Sequence, residues 1–253
     1  MFQEERLYRI TELLKEKKTL SKGEIMKSLD ISRDTARRDI VRLVEQGLAI
    51  RTHGGIAVTE LNLEILPYRK RTCINQEIKK ILAEHMSRYL RVIRVCFFDV
   101  STTIATLCDC VPDELDVYTH SIDNLERLSN KNCNVRMFGG KLNRKYRYCY
   151  GSDTLSQIEQ IRFDLSVLGA GAIQHDGIYV GEQEDAAIKR KVAERSDSVY
   201  IVADDSKFRA LGHFRCVTFE SVDKIITNRR PPEELMQHLE RSGTTLELVK
   251  ETS

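Results

Sequence analysis

Residues 28–40 of this 253-residue chain read SLDISRDTARRDI, and this stretch determines how the first domain folds. The Ser32 hydroxyl is suited to cap a helix that continues to about Glu45. The apolar residues of this helix share one stripe: Ala36, Ile40, Leu43 and Val44. Arg38 and Arg42 fall on the opposite side, so the spacing predicts an amphipathic helix with a basic outer face.

Two further helices are predicted before it. Ser21 and Glu24 have the Ser-x-x-Glu spacing of a capping box, which starts a short helix with Ile25 and Leu29 on its inner face. An earlier amphipathic helix places apolar residues at positions 7, 10, 13 and 14. Two short helices joined by a few residues, the second with a basic outer face, are typical of a helix-turn-helix.

A β-hairpin is predicted directly after these helices. Residues 48–52 and 56–58 are short alternating runs on either side of a glycine pair, Gly54 and Gly55. A hairpin in this position is a wing, so residues 1–58 are expected to form a winged helix-turn-helix domain that binds double-stranded DNA. The residues expected to contact base edges or phosphates are Ser32, Arg33, Thr35, Arg37, Arg38, Arg51 and His53.

The helix-turn-helix and the wing together resemble a known family. Residues 28–40, with Gly47 and the RTHGG run at 51–55, closely resemble the DeoR family of bacterial sugar-responsive transcription regulators. Family members usually have TIRRDL where this chain has TARRDI at 35–40, and both substitutions keep an apolar inner face. The resemblance implies a transcription regulator, usually a repressor of a sugar-catabolic operon that a phosphorylated sugar releases from DNA.

The rest of the chain divides into a linker and a second domain. Residues 59–75 have no clean periodicity and contain Pro67, so they are expected to form a linker, partly helical near 63–66, with the basic run at 69–71 in solvent. Residues 76–253 alternate short apolar runs with helical patterns, which predicts a mostly parallel α/β sheet with helices on both faces. Strands are predicted at 92–99, 117–119, 135–138, 165–168, 199–202 and 224–227, and helices at 78–90, 121–128, 155–161 and 185–195.

Polar motifs follow five of the predicted strands. Ligands of parallel α/β sheets bind beyond the carboxyl ends of the strands, so these motifs are expected to form one site. Hydroxyls at a helix start suit a phosphate, lysines add positive charge, and carboxylates accept hydrogen bonds from sugar hydroxyls. The residues expected to bind a small phosphorylated, polyhydroxy effector are Asp99, Ser101, Thr102, Thr103, Thr119, His120, Gly139, Gly140, Lys141, Gly169, Gly171, Asp204 and Lys207.

The second domain resembles the sensor domain of the same family, which is similar to the ribose-5-phosphate isomerase and coenzyme A transferase folds. The family's Asp-x-Gly-Thr-Thr appears here as DVSTT at 99–103, and ADDSKF at 203–208 matches well. Ser101 stands where the family has glycine, and His120 stands where it usually has asparagine. The resemblance implies a domain that senses a phosphorylated sugar.

Composition excludes several other classes of protein. Hydrophobic residues make up 41% of the chain and charged residues 31%, which is enough apolar material for a packed core. No apolar run approaches the ~20 residues that span a bilayer. The opening residues, MFQEER, do not resemble a secretory leader, so a cytoplasmic protein is expected. Seven cysteines without a Cys-x-x-Cys pair argue against a disulfide framework or a zinc site, and neither a metal nor a cofactor is expected.

Two alternatives to an effector-controlled repressor stay open. One is a sugar-phosphate isomerase-like enzyme with an added DNA-binding module, using Asp99 or Asp204 as general base and Lys207 as electrostatic partner. The glycine-rich loop of the similar isomerases is not apparent, so catalysis is not expected. The other is a redox-sensing regulator that uses Cys108 and Cys110.

The chain is expected to act as a homodimer or homotetramer, because one winged helix buries too little surface for specific binding.

Overall fold

The computed structural model describes residues 3–17, 19–45, 48–52, 54–58 and 68–250. Two compact units make up the chain, Met1–Leu63 and Glu64–Ser253. Their boundary lies within the predicted linker. Gly47, His53 and the helical stretch expected near 63–66 lie outside the described residues.

The first unit is a winged helix-turn-helix, as the sequence predicts. Its elements in chain order are α1 (Gln3–Lys17), β1 (Thr19–Ser21), α2 (Lys22–Leu29), α3 (Arg33–Glu45), β2 (Ala49–Arg51) and β3 (Gly55–Val58). The predicted capping box is present: the Ser21 hydroxyl accepts from the Glu24 amide at 3.1 Å, and the Glu24 carboxylate accepts from the Ser21 amide at 2.8 Å. The strands form an antiparallel sheet in the order β1-β3-β2, so the predicted hairpin gains a third strand, β1.

A buried ion pair fixes α3 against α1 in this unit. Asp39 is fully buried, and the Arg6 guanidinium donates to both of its carboxylate oxygens, at 2.7 and 3.1 Å. The surrounding apolar core draws on all six elements: Leu7, Ile10, Leu14, Leu20, Ile25, Leu29, Ala36, Ile40, Leu43, Ala49 and Ile56. Asp39 in the TARRDI motif is therefore a packing residue, whereas the two arginines before it are exposed.

The second unit alternates strands and helices. Its helices are α4 (Tyr68–Thr72), α5 (Gln76–Ser87), α6 (Thr102–Leu107), α7 (Ile122–Leu128), α8 (Ser152–Glu159), α9 (Gln183–Glu194) and α10 (Glu233–Ser242). Its strands are β4 (Val95–Phe98), β5 (Asp116–Thr119), β6 (Asn134–Met137), β7 (Lys141–Asn143), β8 (Tyr148–Tyr150), β9 (Leu165–Gly169), β10 (Ala172–Gln174), β11 (Gly177–Val180), β12 (Val199–Val202), β13 (Phe214–Val217), β14 (Lys224–Thr227) and β15 (Thr245–Leu248).

Seven of these strands form one sheet in the order β15-β14-β12-β9-β4-β5-β6, in which every neighbouring pair is parallel. All six predicted strands belong to it, which confirms the parallel α/β prediction. Strand β15 and the small antiparallel sheets β7-β8 and β10-β11-β13 were not predicted. The five strands followed by polar motifs are consecutive in the sheet, so their carboxyl ends meet along one edge.

Apolar layers cover both faces of the sheet. One layer includes the aromatic rings of Phe97, Tyr148 and Phe163, and the other includes Leu82, Phe98 and Ile104. The central strand β9 is buried along its whole length, as expected for a strand with helices on both sides.

Residues 68–75 belong to this second unit, which shortens the predicted linker. Tyr68 in α4 is only 2% exposed and packs within the aromatic layer. Arg71 is half-buried, so the basic run at 69–71 is not wholly in solvent as expected. The segment is held against the second unit by burial of one large aromatic side chain. A single buried residue produces no hydrophobic periodicity, so the sequence pattern did not reveal it. Across the part of the chain that the structure describes, none of the helices combines the length and apolar character needed to cross a bilayer.

Candidate functional sites

The outer face of α3 presents the arginines that the sequence predicts for DNA contact. Arg33, Arg37 and Arg38 are all exposed. Ser32 precedes the helix, and its hydroxyl accepts from the Thr35 amide at 3.3 Å, so its first role is to cap α3. In helix-turn-helix proteins the second helix enters the major groove and its N-terminal residues contact the base edges.

The wing holds the remaining described DNA-contact candidate. Arg51 is exposed at the end of β2, whereas His53 lies outside the described residues. Gly55 starts β3 where it pairs with β1, and a Cβ at this position would lie 2.0 Å from the Leu20 carbonyl oxygen. Only glycine allows the two backbones to approach this closely. Gly55 thus allows the wing to pair closely with β1.

A cavity lies at the carboxyl edge of the parallel sheet. We call it the sheet-edge cavity; its lining residues are Arg71, Val100, Ser101, Tyr146, Tyr148, Gly169, Ala170, Gly171, Val180, Gly181, Glu182, Asp185 and Lys189. Its free volume is about 30 Å³, room for roughly one water molecule. A larger ligand can therefore enter only if part of the wall moves. Tyr146 and Tyr148 belong to the β7-β8 hairpin, which forms one side of that wall.

A buried lysine forms the floor of the sheet-edge cavity. The Lys189 ammonium donates to Asp99 and lies 3.3 Å from the Asp185 carboxylate. Burial opposes the charge on Lys189, but the Asp185 and Asp99 carboxylates outweigh it and raise the pKa of Lys189 to about 12. Asp99 also accepts from the Gly169 amide at 2.8 Å, which ties the loops after β4 and β9 together. Lys189 is thus a fixed cation at neutral pH.

His120 lies behind this floor and does not line the cavity. Its ring stacks on Phe97 at a centroid distance of 5.5 Å and meets Tyr148 edge-on at 5.4 Å. Its Nε2 is 4.0 Å from an Asp99 carboxylate oxygen, and neither ring nitrogen has a hydrogen-bond partner among the described residues. Burial lowers the pKa of His120 to about 4, although the Asp99 charge opposes the shift. The ring is therefore neutral at physiological pH.

Arg71 reaches the opposite wall of the cavity from the last turn of α4. Its guanidinium lies over the Tyr68 ring, with 5.5 Å between Cζ and the ring centroid. Burial lowers the pKa of Arg71, and the nearby Asp185 carboxylate opposes that shift. The nearly buried Lys79 ammonium donates to the Arg71 carbonyl oxygen, which fixes the end of α4 against α5.

Asp204 and Lys207 form a polar cluster beside Arg71. The Asp204 carboxylate accepts from the Ser206 amide at 3.0 Å and from the Asn75 side chain at 3.4 Å. Burial tends to raise the pKa of Asp204, but Lys207 and the Ser206 hydrogen bond lower it below its ordinary value. Burial lowers the pKa of Lys207, and the charge of Arg71 adds to that effect while Asp204 opposes it. Cations and carboxylates thus alternate along this edge.

The structure brings only some of the predicted effector residues together. Ser101, Gly169 and Gly171 line the cavity, and Asp99 lies directly beneath it. The others lie away from the lining: Thr102, Thr103, Thr119, His120, Gly139, Gly140, Lys141, Asp204 and Lys207. The Thr119 hydroxyl donates to the Phe98 carbonyl at 2.7 Å, and Gly140 packs against the Thr154 hydroxyl, so both positions serve internal packing. Lys141 is exposed.

Several cavity residues have no counterpart in the sequence prediction: Arg71, Tyr146, Tyr148, Asp185 and Lys189. None of them directly follows a predicted strand of the sheet. Asp185 and Lys189 have the i, i+4 spacing of a helical ion pair, which is the only sequence feature that marks them, and such pairs are usually solvated.

Three potential metal ligands also meet beneath the cavity. Donor atoms of Asp99, His120 and Asp185 all lie within 4.8 Å of one another. The Lys189 ammonium already bonds to Asp99 and pairs with Asp185, so the positive charge that these carboxylates require is supplied by the protein.

Six of the cysteines are partly or fully buried: Cys96, Cys108, Cys110, Cys133, Cys149 and Cys216. Burial raises the pKa of each of these thiols. The thiolate is the reactive form, so these side chains are poor redox sensors. Cys108 and Cys110, the pair singled out in the sequence, belong to this group.

The chain combines a winged helix-turn-helix, which has an exposed arginine face, with an α/β unit that holds a polar cavity. This is the architecture of a DNA-binding regulator with a ligand-sensing domain. The model of the DeoR-like helix-turn-helix domain matches residues 6–61, and that of the DeoR C terminal sensor domain matches residues 74–229. The chain therefore belongs to the DeoR family of transcription regulators.

Named relatives agree with this assignment. The HTH-type transcriptional repressor GlcR of Bacillus subtilis is 31% identical over 97% of this chain and 96% of its own length. The glycerol-3-phosphate regulon repressor of Escherichia coli is 29% identical over 98% of this chain and 100% of its own length. Ribose 5-phosphate isomerase A from Neisseria gonorrhoeae matches 52% of each chain with a TM-score of 0.39 and 17% identity, a likeness too loose to carry an argument.

Proposed function

We propose that this chain represses a sugar-catabolic operon and that a phosphorylated sugar, bound at the sheet-edge cavity, releases it from operator DNA. The observation that carries the proposal is the cavity itself, which combines cations and carboxylates at the ligand-binding edge of a parallel sheet. It occurs in a chain whose other unit is a DeoR-like helix-turn-helix. Both relatives named above are repressors by name, and one is named for a phosphorylated polyol.

The DNA-binding half of the proposal assigns base and phosphate contacts to the exposed start of α3. Arg33, Arg37 and Arg38 lie on one exposed surface, and arginine pairs bidentately with guanine edges and with phosphates. Thr35 and the wing residue Arg51 complete the described part of this surface. A homodimer or homotetramer reading repeated half-sites would supply the specificity that one winged helix lacks.

The sensor half of the proposal is binding without catalysis. The Asp99 carboxylate, the general base that an isomerase would need, is bonded to Lys189 and to the Gly169 amide. Asp204 is likewise held by hydrogen bonds and has a lowered pKa, whereas a general base works best with a pKa near neutrality. The relatives are named as regulators. We place the protein in the cytoplasm, where its operator DNA is found.

Capture of genomic DNA tests the DNA-binding half. The purified chain is incubated with sheared host DNA at fixed, moderate salt, and the retained fragments are sequenced. We expect a few intergenic fragments, and we expect Arg38→Ala to bind them about 10-fold or more weakly while still binding phosphosugars. An Arg38→Ala variant that binds the captured fragments as tightly as the wild-type chain would contradict this assignment, and retained phosphosugar binding shows that the variant is folded.

Release of the captured DNA tests the sensor half. The capture is repeated with a panel of glycerol 3-phosphate, ribose 5-phosphate, glucose 6-phosphate and fructose 1-phosphate. One member is expected to elute the retained fragments, and Lys207→Ala is expected to prevent that elution. Lys207 is half-buried in the polar cluster with Asp204 beside the cavity, so Lys141→Ala is the matched control, because Lys141 is exposed and belongs neither to that cluster nor to the cavity lining. If Lys207→Ala responds to the phosphosugar as the control does, the effector does not bind beside Lys207 and its site lies elsewhere.

A further inference from the structure

We propose that residues 141–146 form a lid over the sheet-edge cavity and that the ion pair between Lys145 and Glu182 holds this lid closed. The inference rests on the proposed function and adds to it how a phosphosugar reaches its site. It starts from the free volume of the cavity, about 30 Å³, which is far too small for a sugar phosphate. Part of the lining must therefore move before a ligand of that class can bind.

Most of the lining belongs to the buried framework of the sensor unit. Val100 and Ala170 follow strands β4 and β9 of the seven-stranded sheet, and Lys189 is buried in α9. The β7-β8 hairpin is different, because its two strands form a sheet of their own. A two-stranded hairpin is only marginally stable by itself, so it opens at a lower cost than the parallel sheet. The hairpin is thus the part of the wall that is suited to move.

The hairpin is anchored on both sides of the lid. Before residues 141–146, the Thr154 hydroxyl donates to the Gly139 carbonyl at 2.6 Å. After them, the Arg147 guanidinium donates to both Asp123 carboxylate oxygens, at 2.8 and 2.9 Å. Movement is therefore confined to the segment between these two anchors.

The turn of the lid is braced internally and reaches the opposite wall of the cavity. The Asn143 side-chain oxygen accepts from the amides of Lys145 and Tyr146, both at 3.1 Å, so the turn moves as one piece. Tyr146 lines the cavity and is 7% exposed. The Lys145 ammonium lies 3.8 Å from the Glu182 carboxylate. Because Tyr146 is next to Lys145, displacement of the turn withdraws the Tyr146 ring from the lining and enlarges the cavity.

The ion pair lies where the cavity lining meets solvent. Glu182 lines the cavity with 33% of its side chain exposed, and the Lys145 side chain is 60% exposed. Exposed ion pairs contribute little stability, and such a contact suits a latch, because it favours the closed lid without preventing it from opening. Glu182 precedes α9 and its side chain makes no cap hydrogen bond, so a substitution there does not uncap the helix.

Charge reversal and charge exchange test the latch in the full chain. Lys145→Glu and Glu182→Lys each replace the attraction by repulsion, and the double variant restores the pair with its charges exchanged. Arg144→Glu is the matched control, because Arg144 is exposed in the same turn. Hydrogen exchange of the amides of residues 141–146, corrected for the intrinsic rate of each sequence, measures how often the lid opens.

We expect exchange of the lid amides to be about 2–10-fold faster in each single variant than in the wild-type chain. Rates in the double variant and in Arg144→Glu should stay within about twofold of wild type. Unchanged exchange in both single variants overturns the latch, and so does faster exchange that the double variant fails to reverse.

Association rates then test whether the lid controls access to the cavity. The phosphosugar of the panel that elutes operator DNA is mixed with each chain by stopped flow. Tyrosine emission reports binding, since the chain has no tryptophan and Tyr146 lies in the cavity wall. Loss of the latch should speed association about 2–10-fold in both single variants. Attraction of the phosphate charge alone would speed it in Glu182→Lys and slow it in Lys145→Glu, and that outcome overturns the lid.

Failure of the lid and failure of the proposed function are distinguishable. If the wild-type chain binds operator DNA and no phosphosugar of the panel elutes it, the proposed function fails. The exchange measurements need no ligand, so they still decide whether Lys145 and Glu182 hold the lid closed.

Discussion

Single buried polar side chains shape both units of this protein. Asp39 is paired with Arg6 in the DNA-binding unit, and Lys189 lies between Asp99 and Asp185 in the sensor unit. An unpaired buried charge costs several kcal/mol, so these partners determine each other's positions. His120 is different, because it is buried in ring contacts without a hydrogen bond to either nitrogen from a described residue.

The neutral state of His120 makes stability depend on pH. Its pKa is about 4 in the folded chain because burial disfavours the charged ring, against an ordinary value of 6.5. Between these values the unfolded chain binds more protons, so the stability conferred by the neutral ring is complete above pH 6.5 and is lost as pH falls towards 4. The loss is on the order of 3 kcal/mol.

Replacement by asparagine, the residue usual in the family, tests this dependence. We expect His120→Asn to flatten the fall in unfolding free energy between about pH 6.5 and about pH 4, measured by urea denaturation. The measured quantity is the slope of the unfolding free energy against pH. A substitution that changes the stability equally at every pH therefore does not affect the result. The same slope in both proteins would show that folding does not lower the pKa of His120.

At the scale of elements, the wing depends on one close backbone approach. A Cβ at Gly55 would lie 2.0 Å from the Leu20 carbonyl oxygen, whereas a Cβ at the adjacent Gly54 meets no atom within 4 Å. We expect Gly55→Ala to disrupt the β1-β3 pairing and to weaken operator binding about 10-fold or more, because the wing can no longer be positioned.

The adjacent glycine supplies the control for the wing. Gly54→Ala should bind the operator within about twofold of the wild-type chain, since the added methyl group meets open space. Equal effects of the two substitutions on operator affinity would mean that the backbone contact at Gly55 does not determine the wing's position.

A polar network joins α5 to the β14-β15 edge of the sheet. The Glu247 carboxylate accepts hydrogen bonds from Lys224 at 2.8 Å and from Tyr89 at 2.5 Å, and it also bonds to His85. Burial tends to raise the pKa of Glu247, but these hydrogen bonds lower it to about 2. The unfolded carboxylate titrates near 4.5, so this stabilisation is present above pH 4.5 and is lost as pH falls towards 2.

Removal of the Glu247 charge should reduce the sensitivity of the sensor unit to acid. We expect Glu247→Gln to be less stable than the wild-type chain at neutral pH, and we expect the difference in melting temperature to shrink between about pH 5 and about pH 3. Calorimetric scans of both proteins across this range provide the measurement. A difference that stays constant would show that the carboxylate keeps its ordinary pKa.

Features set by neighbouring residues could be predicted from the sequence, whereas features set by contacts between residues distant in the chain could not. The buried strand β9 reads LSVLG, and such apolar runs alternating with amphipathic helices predict the parallel sheet correctly. The three-residue strands β7, β8 and β10 are too short for a period to emerge. Arg71 and Lys189 are brought to the cavity by tertiary packing, which local spacing does not encode. His120 is correctly placed after its strand, but stacking on Phe97 turns it away from the cavity.

At the scale of the whole molecule, the segment between Val58 and Tyr68 connects the DNA-binding unit to the sensor unit. The DNA-binding unit presents arginines, and the sensor unit holds the small sheet-edge cavity, whose lining includes Arg71 of the first described helix after that connection. A coupling free energy of ~1–3 kcal/mol, which is a ~5–150-fold change in operator affinity, is sufficient for a switch.

Under the proposed function, effector binding in the sensor unit weakens operator binding by the other unit. We would measure it with the full chain by anisotropy of a labelled operator fragment at fixed ionic strength, titrating each phosphosugar of the panel and its unphosphorylated counterpart. We expect one phosphosugar to weaken operator affinity by ~5–150-fold and its unphosphorylated counterpart to leave it unchanged. Operator affinity that is unchanged by every phosphosugar, in a chain that binds the operator specifically, would contradict it.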